Sequence, residues 1–247
     1  MKWTSGIVVG AFAACSAVMV AGVQHWETKI EGQAQAAVVE TAQPHQKQFS
    51  GVSSYTKHLP PFLVSAIEDT FIKDKPISLV LVAREEDEWA SFVKKSLEDT
   101  YGQDVFHIQI YSYHDQTTKE LVHSSFQQDL QKLNPTLVLA EVPMLEDQKE
   151  MPIDDVLPEL QAFISQVKEL KTAFILQPSS PYASQYESYE EAVAAVGGMA
   201  KENHVHYLNH APLWPYEISP YVTKESKLTK EGKRLWGEHL SSWFTGK

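Results

Sequence analysis

ISLVLVAREEDEWASFVKKSLEDTYG, residues 77–102, carries two periodicities in one stretch. Ile77 to Ala83 form an almost continuous β-branched and leucine run, as expected of a strand covered on both faces. Trp89, Phe92, Val93 and Leu97 then recur at helical spacing, so a helix with one apolar face follows and stops at Gly102. A buried strand that passes directly into an amphipathic helix is the building unit of a parallel sheet layered between helices.

The same alternation extends in both directions. PPFLVSAIEDTFIKD predicts a leading helix, with Pro60 and Pro61 near its start, where a missing N–H costs nothing. VFHIQIYSY predicts the second strand, TTKELVHSSFQQDLQKLN one continuous helix, PTLVLAEV the third strand and TAFILQPSSP the fourth. Between them, IDDVLPELQAFISQVKELK reads as a helix in which Pro158 marks a bend or a late start. SYEEAVAAVGGMAKENH is helical with Gly197 and Gly198 as a weak point or a close contact, VHYLNHA is the fifth strand, and a last helix runs from about Thr229 to Phe244. The expected fold is therefore α/β, a flavodoxin-like three-layer sandwich around a five-stranded parallel sheet, with any site in the loops after the strands.

The formal net charge of −11 excludes a nucleic-acid partner, which needs a basic stripe to displace counterions. One cysteine, Cys15, rules out an intramolecular disulfide. Thr4 to Val23 contain no charge and match a hydrocarbon core about 30 Å thick. Residues 1–26 therefore read as an N-terminal membrane anchor or signal sequence, an uncleaved anchor being favoured because no A-x-A site follows. Cys15 in FAAC is the alternative, a lipid attachment site. Lys2 precedes the apolar run and Glu27 follows it, which places the remainder outside a cell membrane crossed once. Residues 27–59, rich in Gln, Ala and Ser, read as a stalk, and residues 60–247 as the extracytoplasmic domain.

The strand-end loops hold the candidate chemistry. REEDEW has neither the glycines of a phosphate cradle nor the nucleophile of a sharp elbow, and Glu85, Glu86 and Asp87 read as helix-capping acids. SYHDQTT groups Ser112, His114 and Asp115, with Asp115 expected to cap the next helix. Glu141, Glu146 and Asp147 form an acidic set suited to acid–base work or a cation, or else are solvated acids of an acidic chain. Ser179 and His210 stand on neighbouring strand ends. His204 and His206 lack the further ligands a zinc site needs, so no metal or cofactor is implied. Trp214, Tyr216 and Tyr221 in PLWPYEISPY are candidates for stacking on sugar faces, with satellite packing of the Pro-rich loop the favoured alternative.

EWASFVKKSLEDTYG, TTKELV, NPTLVLAEVPMLED and the closing LTKEGKRLWGEHL resemble the SGNH/GDSL hydrolase superfamily, and more narrowly the membrane-anchored SGNH-like proteins of Gram-positive bacteria. The resemblance spans about Leu59 to Phe244. It implies esterase-type ancestry and an acyl-enzyme mechanism whose parts are missing here. The Gly-Asp-Ser block falls on Ala83, Arg84 and Glu85, without a nucleophile. The oxyanion glycine falls in YHDQT, which has none, and Glu146 takes the place of the oxyanion asparagine while Asp147 is retained. Asp-x-x-His falls on Lys224 and Lys227, and a protonated lysine can neither accept a serine proton nor orient an imidazole. The resemblance thus implies a catalytically degenerate surface protein that binds a glycan or an envelope protein. Two alternatives stay open: an esterase built from relocated residues among Ser112, Asp115, Ser179 and His210, and a structural part of an envelope assembly.

Overall fold

The computed structural model describes residues 56–73, 75–182 and 186–246. The expected anchor and the stalk up to residue 55 lie outside them, and among the described residues no helix is long and apolar enough to cross a membrane.

Helix α1 (Pro61–Lys73) leads into β1 (Ile77–Arg84), followed by α2 (Trp89–Tyr101), β2 (Phe106–Tyr113), α3 (Thr118–Val122), α4 (Phe126–Leu133) and β3 (Leu137–Glu141). The chain continues through α5 (Met144–Glu150), α6 (Ile153–Glu169), β4 (Ala173–Gln177), α7 (Tyr186–Glu202), β5 (His206–Tyr207) and α8 (Lys230–Thr245). The strands pair in parallel in the order β2-β1-β3-β4-β5. Helices α2 and α8 pack together on one side, while α6 packs with α3, α4 and α7 on the other. Winding reverses between β1 and β3, so the crevice at their carboxyl ends is the switch point where open α/β sheets bind ligands.

Sequence pattern explains most of these elements. Every residue of β1 except Ser78 is buried, as its unbroken apolar run requires. In α2, Trp89, Val93 and Leu97 are fully buried, while Phe92 lies at the margin, 38% exposed. The stretch expected as one helix after β2 is two: Ser124 Oγ donates to the Leu121 carbonyl and accepts from the Phe126 N–H, so a serine side chain takes over backbone pairing at the break. Helix α6 begins at Ile153, ahead of Pro158, so the proline marks no late start. Helix α5 lies in a stretch expected to be loop, and β5 has only two residues of the expected strand.

The last helix is tied down along its length. Thr229 caps it by accepting from the Gly232 N–H at 3.2 Å. Trp236, Leu240 and Phe244 are fully buried. At its far end Tyr101 Oη donates to the Phe244 carbonyl at 2.7 Å, and His58 bonds the Trp243 carbonyl. Gly232 is required at the start, because a Cβ there would overlap the Tyr221 carbonyl oxygen, whereas a Cβ at Gly198 in α7 meets nothing within 4 Å. Gly232→Ala should therefore lower the melting temperature, costing about 2 kcal/mol or more, because backbone must shift. Gly198→Ala should raise stability by roughly 0.5–1 kcal/mol through helix propensity. Thermal unfolding of the two variants checks both.

Candidate functional site

The crevice between β1 and β3 is filled by an arginine. Arg84, the last residue of β1, is only 4% exposed. A 3-10 turn over Glu85–Asp87, closed by Glu88 at φ 57°, folds Asp87 back onto it. Arg84 Nε donates to Asp87 Oδ2 at 3.2 Å and Nη2 to Oδ1 at 2.8 Å, a two-pronged pair, while Nη1 reaches Glu146 Oε1 at 3.3 Å. Glu146 Oε2 in turn holds Lys149 Nζ at 2.5 Å. Asp87 therefore does not cap α2; its whole side chain is buried against the arginine.

The acids after β3 are not solvated. Glu141 is 0% exposed, and its Oε2 accepts from Trp89 Nε1 at 2.8 Å and from the Arg84 backbone N–H at 3.3 Å. Asp147 accepts from the Thr118 N–H at 2.7 Å and from Thr118 Oγ1 at 2.6 Å, which fixes the start of α3. Burial pushes the Glu141 carboxyl up to about 8, with repulsion from Asp87 adding to it and the Trp89 and Arg84 bonds opposing. Burial also raises Asp87, but Arg84 counters it directly; for Arg84 itself, burial opposes the charge and Asp87 more than restores it. Charge then balances if Arg84 pairs with Asp87, Glu146 with Lys149, and Glu141 keeps its proton.

The Ser/His candidates do not meet as a catalytic pair. His210 is fully buried; its Nε2 donates to the Pro178 carbonyl at 2.8 Å and its Nδ1 accepts from Trp214 Nε1 at 3.1 Å. With both nitrogens engaged and burial lowering its affinity for a proton to about 3, this imidazole is a neutral packing element. Ser179 is 2% exposed and donates to the Ser180 carbonyl at 3.1 Å, not to a histidine. Ser112 lies exposed on edge strand β2. Asp115 is exposed at φ 44° and does not cap α3, whose cap is Thr117 in a reciprocal box with Glu120.

His114 instead faces carboxylates on both sides, Glu86 Oε1 2.5 Å from Nδ1 and Asp115 Oδ2 3.2 Å from Nε2, with Glu85 Oε2 at 3.9 Å. Among the described residues Glu86, His114 and Asp115 are the group that could hold a metal ion. Lys224 and Lys227 are exposed on the hairpin loop before α8, where Thr223 and Lys227 pair through their backbones. Trp214 is 3% exposed and cannot stack on a ligand, whereas Tyr216 is 91% exposed.

No protein-family model matches the chain, and no curated protein matches its sequence. Solved structures do match. A protein from Desulfitobacterium hafniense DCB-2 assigned to the lipolytic G-D-S-L family aligns at a TM-score of 0.54 with 20% identity, over 67% of this chain and 98% of its own. The acetyl xylan esterase AlAXEase aligns at 0.55 with 12% identity, over 68% and 98%. This chain has the SGNH/GDSL hydrolase fold. A family 3 carbohydrate esterase from Clostridium thermocellum shares it at 0.53 and 12% identity, over 66% and 92%.

On this SGNH framework the residue at the end of β1 is an ion-paired arginine. The Arg84–Asp87 pair is not what the sequence pattern predicts, which reads Glu85, Glu86 and Asp87 as helix-capping acids; the signal available was the three-residue spacing that lets a tight turn close one charge on the other. Arg84→Met should destabilise the domain by about 3–5 kcal/mol, because it strands a buried carboxylate, and Asp87→Leu added to it should recover most of that loss. Chemical denaturation of both variants checks this.

Stability should also depend on pH from two sides. Glu141 holds its proton more tightly folded, about 8 against an ordinary 4.5, so its contribution is complete below pH 4.5 and is lost as pH rises through 8. His210 holds a proton less tightly folded, about 3 against 6.5, so its contribution is complete above pH 6.5 and is lost as pH falls toward 3. Stability should therefore be highest between about pH 4.5 and 6.5. Glu141→Gln should flatten the alkaline arm and leave the acid arm in place, as melting curves across pH will show.

Proposed function

We propose that this SGNH-fold domain works by binding rather than by acyl transfer, held outside the cell by its N-terminal segment, with a cell-surface glycan as its ligand. The observation that carries the reading is Arg84, which occupies the end of β1 in a buried pair with Asp87. Acyl transfer on a serine needs a nucleophile, a base and oxyanion donors in one place. His210 and Ser179 spend their hydrogen bonds on neighbouring backbone and on Trp214 instead. A carbohydrate ligand is favoured because two of the similar folds are carbohydrate-directed esterases by name. With Trp214 buried, the stacking surface falls to Tyr216 and the partly buried Tyr221.

The purified protein should hydrolyse p-nitrophenyl acetate no faster than a heat-treated control, and should be retained on immobilised envelope polysaccharide. Tyr216→Ala should weaken that retention roughly tenfold, the scale of one aromatic stacking contact. Turnover abolished by Ser179→Ala would overturn the reading in favour of relocated catalysis. Failure to bind any polysaccharide, with a membrane protein co-purifying stoichiometrically, would replace the glycan by an envelope assembly.

A further inference from the structure

Close beside the arginine pair lies a second, neutral set of polar groups. Glu141 and Gln177 are register partners on adjacent strands β3 and β4, so their side chains leave the sheet on the same side. On that side Glu141 Oε2 is bonded by Trp89 Nε1, the Trp89 ring lies 5.6 Å from the Trp236 ring, and Trp236 lies 4.5 Å from His210. His210 then bonds the carbonyl of Pro178, the residue next to Gln177. These contacts form a closed ring joining the ends of β3 and β4 to α2 and α8, and Glu141, Gln177, Trp89, Trp236 and His210 are all 0% exposed.

Within that ring four polar atoms are buried without a hydrogen-bond partner: Glu141 Oε1, Gln177 Oε1, Gln177 Nε2 and Trp236 Nε1. Native interiors leave few such atoms unsatisfied, and each costs about 1–3 kcal/mol if nothing bonds it. Their chemistry is complementary in kind. Trp236 Nε1–H, the Gln177 amide N–H and Glu141 Oε1–H donate, the last because Oε2 already accepts from Trp89 and Arg84 and leaves the retained proton to Oε1, while Gln177 Oε1 accepts. One water can accept from two of these donors and donate to the acceptor, three bonds and within the 2–4 that buried waters make.

We propose that Glu141, Gln177 and Trp236 together hold one internal water molecule that fastens the C-terminal helix α8 to the carboxyl ends of β3 and β4. The water accepts from Trp236 Nε1–H and Glu141 Oε1–H and donates to Gln177 Oε1. It is the component that lets three polar groups from separate elements stay buried together, and it is independent of whether the domain binds or hydrolyses anything.

A high-resolution crystal structure of the purified protein tests this, together with water–indole cross-relaxation on tryptophan-labelled protein, the Trp236 signal being assigned by its loss in Trp236→Phe. The expected result is one ordered water within hydrogen-bond distance of at least three of the four atoms, and a long-lived water signal at the Trp236 indole N–H. Gln177→Leu should abolish that signal while circular dichroism shows the fold retained; if that variant fails to fold, Gln177→Met, which keeps the length but removes the amide oxygen, serves in its place and should weaken the signal. Gln177 bonded directly to Glu141 with no density between them would overturn the assignment. So would a molecule larger than water in the ring, or an indole signal without water contact in the intact protein.

Discussion

The carboxyl end of the sheet is organised around one buried guanidinium. Arg84 stands at the switch point between β1 and β3, and a buried positive charge is tolerable there only if carboxylates meet it with good geometry. Asp87 does so through the 3-10 turn and Glu146 through the first turn of α5. That requirement fixes the path of two connections at this end of the sheet, from β1 into α2 and from β3 into α5. Burial, and after it repulsion from Asp87, pushes the Glu141 carboxyl up and favours its protonated form.

Beside this charged pair the neutral groups follow a different logic. His210 and Trp214 satisfy each other and a carbonyl, and His210 packs against Trp236, so a histidine that a sequence reader would nominate as a base serves as a wedge under α8. The helix itself is positioned by Gly232 at its start and by Tyr101 and His58 at its end. Retention of the LTKEGKRLWGEHL block is thus explained by packing alone: its glycine and its Trp236, Leu240 face are needed to close the sheet whether or not a catalytic loop precedes them.

Fold was largely legible in the sequence because burial on both faces leaves an unmistakable run such as Ile77–Ala83, and because amphipathic spacing in α2 and α8 is strong. What escaped was decided by single side chains. Ser124 breaks one expected helix into α3 and α4, and Thr117 rather than Asp115 caps α3, through contacts that periodicity does not encode. At the site, the expectation of solvated acids failed for Glu141, Glu146 and Asp147, since burial of an acid depends on partners brought from Thr118, Trp89 and Arg84. Trp214 follows the packing alternative over the stacking one, since its indole N–H finds His210 and its ring is buried.

The most direct measurement of the central claim is the intact mass of the purified protein after incubation with a fluorophosphonate, which modifies only serines activated as nucleophiles. With Arg84 paired to Asp87 and His210 held by Pro178 and Trp214, the mass should remain that of the untreated protein. A stoichiometric adduct mapping to a single serine would contradict it, and would show that the site contains a nucleophile activated by groups other than these.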